Sequence, residues 1–324
     1  MDSRPQTACR ISVQKRPPRH TAYALPARRG GCKRIKDHAR FIPRSIWTSP
    51  LPRARLSEKA APREVPMTMP RMLPAFLAAA FALAIGPARA EMKSQWLKYS
   101  HGETKLKAYM VYEDQVAGRR PAVLMIHARE GITPKTLRLA ETWAKLGYVS
   151  FAADIFGYGQ GVLPKDVAEM QAQTAIYTKD RALMRARTQA GFDALVKNPM
   201  VDASKVALIG YCFGGAVGVE FGATGAPLVA NVAIHGSFRD HEAGWAKNAK
   251  GMYLILHGAE DEGYPLTTVD RVIQELRASK VPFQLEVYSG TGHGFSTPKN
   301  KAEERANAQS IASTTRTLKE LFGI

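Results

Sequence analysis

The feature that most restricts how this chain can fold is a series of short, near-continuous apolar runs: AVLMIH (122–127), YVSFAAD (148–154), VALIGY (206–211), LVANVAIH (228–235) and MYLILH (252–257). A strand with one wet face alternates apolar and polar residues. Runs without alternation therefore imply strands buried on both faces, as in a parallel sheet covered by helices. KLKAYMVYE (105–113) does alternate and reads as a half-buried strand, and FQLEVY (283–288) closes the series. Helical stretches fall between them at about 134–146, 165–197, 213–223, 265–279 and 301–322. The order predicts an α/β protein with a doubly wound, mostly parallel sheet flanked by helices, whose ligands sit beyond the carboxyl ends of the strands. No internal repeat, low-complexity segment or linker follows residue 91, so one domain is expected over residues 91–324.

The net charge of +18 does not belong to that domain. Residues 1–90 hold 18 Lys and Arg against 4 Asp and Glu, whereas residues 91–324 hold 28 against 24 with both signs interspersed. A nucleic-acid-binding domain clusters its cations on the folded part, so a nucleic-acid partner is not expected. From Met67 the sequence runs MTMPRM, then LPAFLAAAFALAIG, then PARA before Glu91. This is the basic, apolar and small-residue order of a secretory signal peptide over 67–90, with Ala88 and Ala90 as the A-x-A cleavage site. The apolar run is short for a span of about 30 Å and has no basic stop-transfer cluster behind it, so no stable membrane anchor is expected after cleavage; an uncleaved anchor is the alternative. The expected location is outside the cytoplasm: periplasmic in a bacterium, otherwise secreted. Residues 1–66, rich in Arg, Pro and Ser, lack the apolar surface to offset ordering and are expected to be a disordered basic segment. A start at Met67 or Met69 would remove them, and a genuine basic arm is the alternative.

Cys9 and Cys32 lie in that segment, which leaves Cys212 as the one thiol of residues 91–324. Gly210, Cys212 and Gly214 form GxCxG between an apolar strand and the helix-forming GGAVGVEFG, the cysteine version of the GxSxG nucleophile elbow. A thiol at a helix N-terminus is biased toward thiolate by unpaired N–H groups and positive potential. The bland alternative is a small buried hydrophobe. Downstream, HGAEDEGYP places Asp261 in a loop after a strand, with Glu260 and Glu262 as adjacent competitors for the acid that orients an imidazole. SGTGHGF places His293 in a glycine-flanked loop after FQLEVY, where it can serve as general base and acid. His127, His235 and His257 also end strands and read as hydrogen-bonding structural residues. With no HExxH or paired ligand spacing, no metal is assigned. The GxGxxG fingerprint is missing, GYGQG (157–161) having neither the spacing nor a helix directly behind it, so no cofactor is assigned either.

IHAREGI, AADIFGYGQG, GYCFGG, HGAEDEGYP and GTGHGF, in this order and spread over nearly all of residues 100–322, resemble the blocks of the dienelactone hydrolases, an α/β-hydrolase family with a cysteine nucleophile. The resemblance implies Cys212, Asp261 and His293 as a catalytic triad and the backbone N–H groups of Phe213 and Arg129 as the oxyanion hole. Family members usually carry a glutamate that contacts the resting thiol where this chain has Ala128; Glu130 stands close by as a substitute, or the device is missing. The arginines that grip the dienelactone carboxylate are also absent, Gly157 and Tyr158 occupying one region and Thr297 the other.

A thiol-dependent hydrolase of a small-molecule lactone, carboxylic ester or thioester is the leading expectation. An impaired, exported binding protein of the same fold is the alternative, and a thiol redox sensor is a third class that lacks a resolving cysteine.

Overall fold

The computed structural model describes residues 91–115, 117–239 and 241–324. The expectations for the basic segment and the signal peptide lie outside these residues. The elements are β1 (Met92–His101), β2 (Thr104–Glu113), β3 (Arg120–Ile126), α1 (Pro134–Ala144), β4 (Val149–Ala153), α2 (Val167–Lys179), α3 (Arg181–Val196), β5 (Val201–Tyr211), α4 (Phe213–Gly222), β6 (Ala230–Ile234), β7 (Met252–Gly258), α5 (Leu266–Ala278), β8 (Phe283–Tyr288) and α6 (Lys301–Phe322).

The eight strands form one sheet in the order β1-β2-β4-β3-β5-β6-β7-β8. β1/β2 and β2/β4 pair antiparallel, and every pair from β4/β3 to β7/β8 is parallel. The unalternating runs are the inner parallel strands, and every residue of β4 and β6 is buried. Adjacent residues of one strand face opposite helical layers. Leu124, Ile126 and Leu208 pack with Phe192 of α3 and Val217 and Phe221 of α4, while Val123, Met125 and Ile209 pack with Trp143 of α1 and Leu318 and Phe322 of α6. α5 covers β7 beside α4 through Val269, Val272 and Leu276. Each such fully buried side chain contributes about 1.5–3 kcal/mol of transfer free energy.

Two departures from the expected elements have local causes. β1 is a polar edge strand, largely exposed, so neither a continuous apolar run nor a clean alternation marks it. The long helix expected at 165–197 is two helices, because Asp180 leaves the helical region at φ −112° and ψ 86° and its carboxylate accepts from the Leu183 N–H at 2.9 Å. Aspartate competes with helical hydrogen bonding in this way and favours a cap over an interior position. Among the described residues no helix is long and apolar enough to cross a membrane.

The elbow between β5 and α4 depends on close approach of backbones. A Cβ on Gly210 would overlap the backbone of Gly214 and Gly215, and one on Gly214 would overlap the Ile126 carbonyl at the end of β3. Gly210→Ala is therefore expected to lower stability by about 3 kcal/mol or more in urea unfolding, since no flexible side chain is available to yield.

Candidate active site

β5, β7 and β8 run parallel, so the loops that follow them open on the same edge of the sheet. Cys212, Asp261 and His293 each sit just beyond one of these strands, which is why residues far apart in sequence meet. Cys212 itself adopts φ 53° and ψ −115°, a left-handed conformation rare for a residue with a side chain. Three hydrogen bonds hold it there. Its N–H donates to the Ile234 carbonyl at 3.1 Å, and its carbonyl accepts from Gly215 at 3.0 Å and from Ser237 at 2.9 Å.

The imidazole of His293 bridges the other two groups. Its Nδ1 lies 2.7 Å from Asp261 Oδ2 and its Nε2 lies 3.0 Å from Cys212 Sγ. Asp261 is 2% exposed, and its second oxygen accepts the Tyr264 N–H at 3.0 Å, so the buried carboxylate is satisfied at both ends. Of its competitors, Glu260 is committed elsewhere, accepting the Thr291 N–H at 2.9 Å and thereby fixing the loop that carries His293; Glu262 is exposed.

Burial pushes the Cys212 thiol up, but the hydrogen bond and charge of His293, with the Ser237 hydroxyl and the Arg129 N–H, outweigh it and leave the thiol below its ordinary value. Burial likewise pushes His293 down, yet its bonds to Asp261 and Cys212 and their negative charges carry it up to about 9. Both shifts favour the thiolate–imidazolium form of the pair over its neutral form. His235 and His257 stay neutral beside it, both shifted down chiefly by burial. They are structural: His257 Nε2 donates to the Tyr264 carbonyl at 2.8 Å, and His235 bonds Ser296 Oγ at 2.7 Å. His127 is buried too, its Nδ1 donating to the Ala128 carbonyl at 2.7 Å and its Nε2 accepting from Ile155 at 3.3 Å, which steadies the loop bearing Arg129.

A cavity of about 380 Å³ opens over the sulfur, with Cys212, Phe213, Arg129 and His293 in its wall. As the first residue of α4, Phe213 presents an N–H with no acceptor inside the helix. The outer wall is the polar face of α2, with Gln171, Thr174 and Thr178, and the remaining side carries Ser237, Arg239 and Tyr264. Glu130 makes no hydrogen bond to the sulfur, and its buried Oε2 has no hydrogen-bond partner. The second side chain at the sulfur, beside His293, is Ser237, whose Oγ is 3.3 Å away. Sequence reading passed over Ser237, although it follows the strand-ending His235-Gly236 at the same rim; it also missed the α2 wall, since helix polarity alone does not tell a pocket from solvent.

A strained cysteine between strand and helix, with a histidine and an aspartate beyond later strands of a mostly parallel sheet, is the arrangement of an α/β-hydrolase fold. A model of the dienelactone hydrolase family matches residues 106–322. The chain belongs to that family and is a hydrolase acting on ester-type bonds. Among curated relatives, a putative carboxymethylenebutenolidase of Synechocystis is 24% identical over 250 residues, 72% of this chain and 97% of the relative. The carboxymethylenebutenolidase homolog of Mus musculus is 27% identical over 194 residues, covering 59% and 76%. Among solved structures, a dienelactone hydrolase-like promiscuous phosphotriesterase from metagenomic libraries is 32% identical with a TM-score of 0.67, covering 71% of this chain and 98% of that one.

The electrostatics of the pair can be read with a thiol probe. His293→Ala removes a donor and a cation while burial remains, so the pH midpoint of Cys212 alkylation should move upward. Cys212→Ala should bring the imidazole midpoint, followed by NMR, below about 9. A His293→Ala midpoint equal to the parent's would contradict the ion pair.

Proposed function

We propose that this chain is an exported hydrolase that cleaves a small-molecule ester or lactone through Cys212, His293 and Asp261. The supporting observation is the unbroken chain of contacts at the cavity mouth, 3.0 Å from sulfur to imidazole and 2.7 Å from imidazole to carboxylate. In this reading the thiolate of Cys212 attacks the carbonyl carbon, and the negative charge that develops on oxygen is met by the N–H groups of Phe213 and Arg129. The His293 imidazolium gives its Nε2 proton to the departing alkoxide, leaving a thioester on Cys212. Neutral His293 then takes a proton from water, the hydroxide adds to the thioester, and collapse releases the acid and the thiolate, restoring the ion pair. Asp261 keeps Nδ1 protonated throughout, so Nε2 always faces the reacting atoms.

Neutral phosphotriesters are a second substrate class for the same thiolate, favoured by the activity of the 32% identical relative. For location, the order of basic, apolar and small residues over 67–90 supports export and cleavage after Ala90. Residues 91–324 then form the mature hydrolase domain, with residues 1–66 outside it.

An ester, lactone and phosphotriester panel on the purified protein tests the chemistry. Cys212→Ala and His293→Ala should each lose at least about 10³-fold in kcat, and Asp261→Asn roughly 10²- to 10⁴-fold. Full turnover in Cys212→Ala would remove the mechanism. Separately, N-terminal sequencing of protein recovered outside the cytoplasm should begin at Glu91.

A further inference from the structure

Two side chains bond to the sulfur of Cys212, and the triad accounts for only one. Ser237 Oγ lies 3.3 Å from Sγ, and this is the hydroxyl's sole hydrogen bond among the described residues. The serine is 8% exposed, like Cys212 itself, yet it forms part of the cavity wall. Its placement is built in by the backbone. His235 turns out of β6 at φ 42°, a strained value for a side-chain-bearing residue, while its N–H stays bonded to Leu256 at 2.8 Å. Gly236 then backs onto Gly215 of α4, and the Ser237 N–H closes on the Cys212 carbonyl at 2.9 Å. With no other partner among the described residues, the hydroxyl is the donor of this bond whenever the sulfur is a thiolate, which can only accept.

We propose that Ser237 is a further catalytic residue whose hydroxyl donates to the Cys212 sulfur, holding it as a thiolate before substrate arrives and receiving it again when the thioester collapses. This rests on the nucleophile reading above and adds a step to it. In the resting site the sulfur has the His293 Nε2–H, the Arg129 N–H and the Ser237 hydroxyl as donors. When a carbonyl binds, the Arg129 N–H turns to its oxygen, and His293 gives its proton to the leaving group. Ser237 is the donor that remains on sulfur through both half-reactions, so its loss acts on the thiolate as attacker and as leaving group. The other groups facing the sulfur leave this role to it. Arg239 and Tyr264 lie in the cavity wall, α2 presents the uncharged Gln171, Thr174 and Thr178, and Glu130 makes no bond to the sulfur. Behind the imidazole, Asp261, His257 and His235 act on the sulfur only through His293. The lowered thiol value, to which Ser237 contributes, agrees with the geometry.

The test is the rate of Cys212 alkylation by iodoacetamide against pH, read by mass spectrometry on the purified protein, beside steady-state turnover of a chromogenic ester. In Ser237→Ala, which keeps the backbone bond to Cys212, the alkylation midpoint should rise by about one pH unit, making alkylation about tenfold slower below the midpoint. kcat should fall by about tenfold with KM little changed, because the hydroxyl acts on sulfur rather than on bound substrate. Ser237→Thr keeps the hydroxyl and should retain the parent midpoint. An Ala profile that superposes on the parent's, or a Thr profile shifted as far as Ala's, overturns the assignment and leaves the triad intact. Loss of the triad reading would instead appear as turnover surviving Cys212→Ala, which the alkylation measurement does not share.

Discussion

A cysteine backbone at φ 53° and ψ −115° costs of order 1–3 kcal/mol, and the surrounding structure is arranged to keep it there. Pairing with β6 holds the Cys212 N–H, two donors hold its carbonyl, Gly210 lets β5 and α4 approach to backbone contact, and Gly214 lets α4 approach the end of β3. Relaxing this one residue would return its side chain toward the sheet and withdraw the sulfur from the cavity. Everything else at the site presupposes that the sulfur stands proud of the strand ends.

Given that position, burial and charge do opposing work. A buried thiol and a buried imidazole both resist ionisation, and the interaction between them, with Asp261 behind the imidazole, works against that resistance in each. The same burial keeps His235 and His257 neutral within contact of the site, so two nearby bases do not compete for the proton. Asp261 tolerates its buried charge because each carboxylate oxygen has a donor, Tyr264 N–H on one and His293 Nδ1 on the other. The imidazolium contributes stability in full below its ordinary value near 6.5, and that contribution is lost as pH rises through about 9.

Much of this is legible in the sequence, and unevenly so. Unalternating apolar runs marked the inner parallel strands, because burial on both faces leaves no room for polar residues; the polar edge strand β1 lacked that constraint and was not marked. The elbow could be read because close backbone approach demands glycine at fixed offsets. The choice of Asp261 over Glu260 was less determined by sequence, and the structure adds the reason that Glu260 is occupied with Thr291. Ser237 escaped notice for the opposite reason. A single hydroxyl on a loop carries no spacing signature, and its contact exists only because the turn at His235 folds the chain back over Cys212. Proximity in sequence pointed instead to Glu130, whose buried Oε2 has no hydrogen-bond partner.

The proposed mechanism requires that the sulfur of Cys212 become covalently acylated during turnover. Rapid-quench mass spectrometry of the protein mixed with a slowly hydrolysed ester measures this directly. An acyl mass should be added to the peptide containing Cys212, appearing before product and decaying at the rate of turnover. Product formed with no adduct on that peptide, or with the acyl group on another side chain, would contradict it.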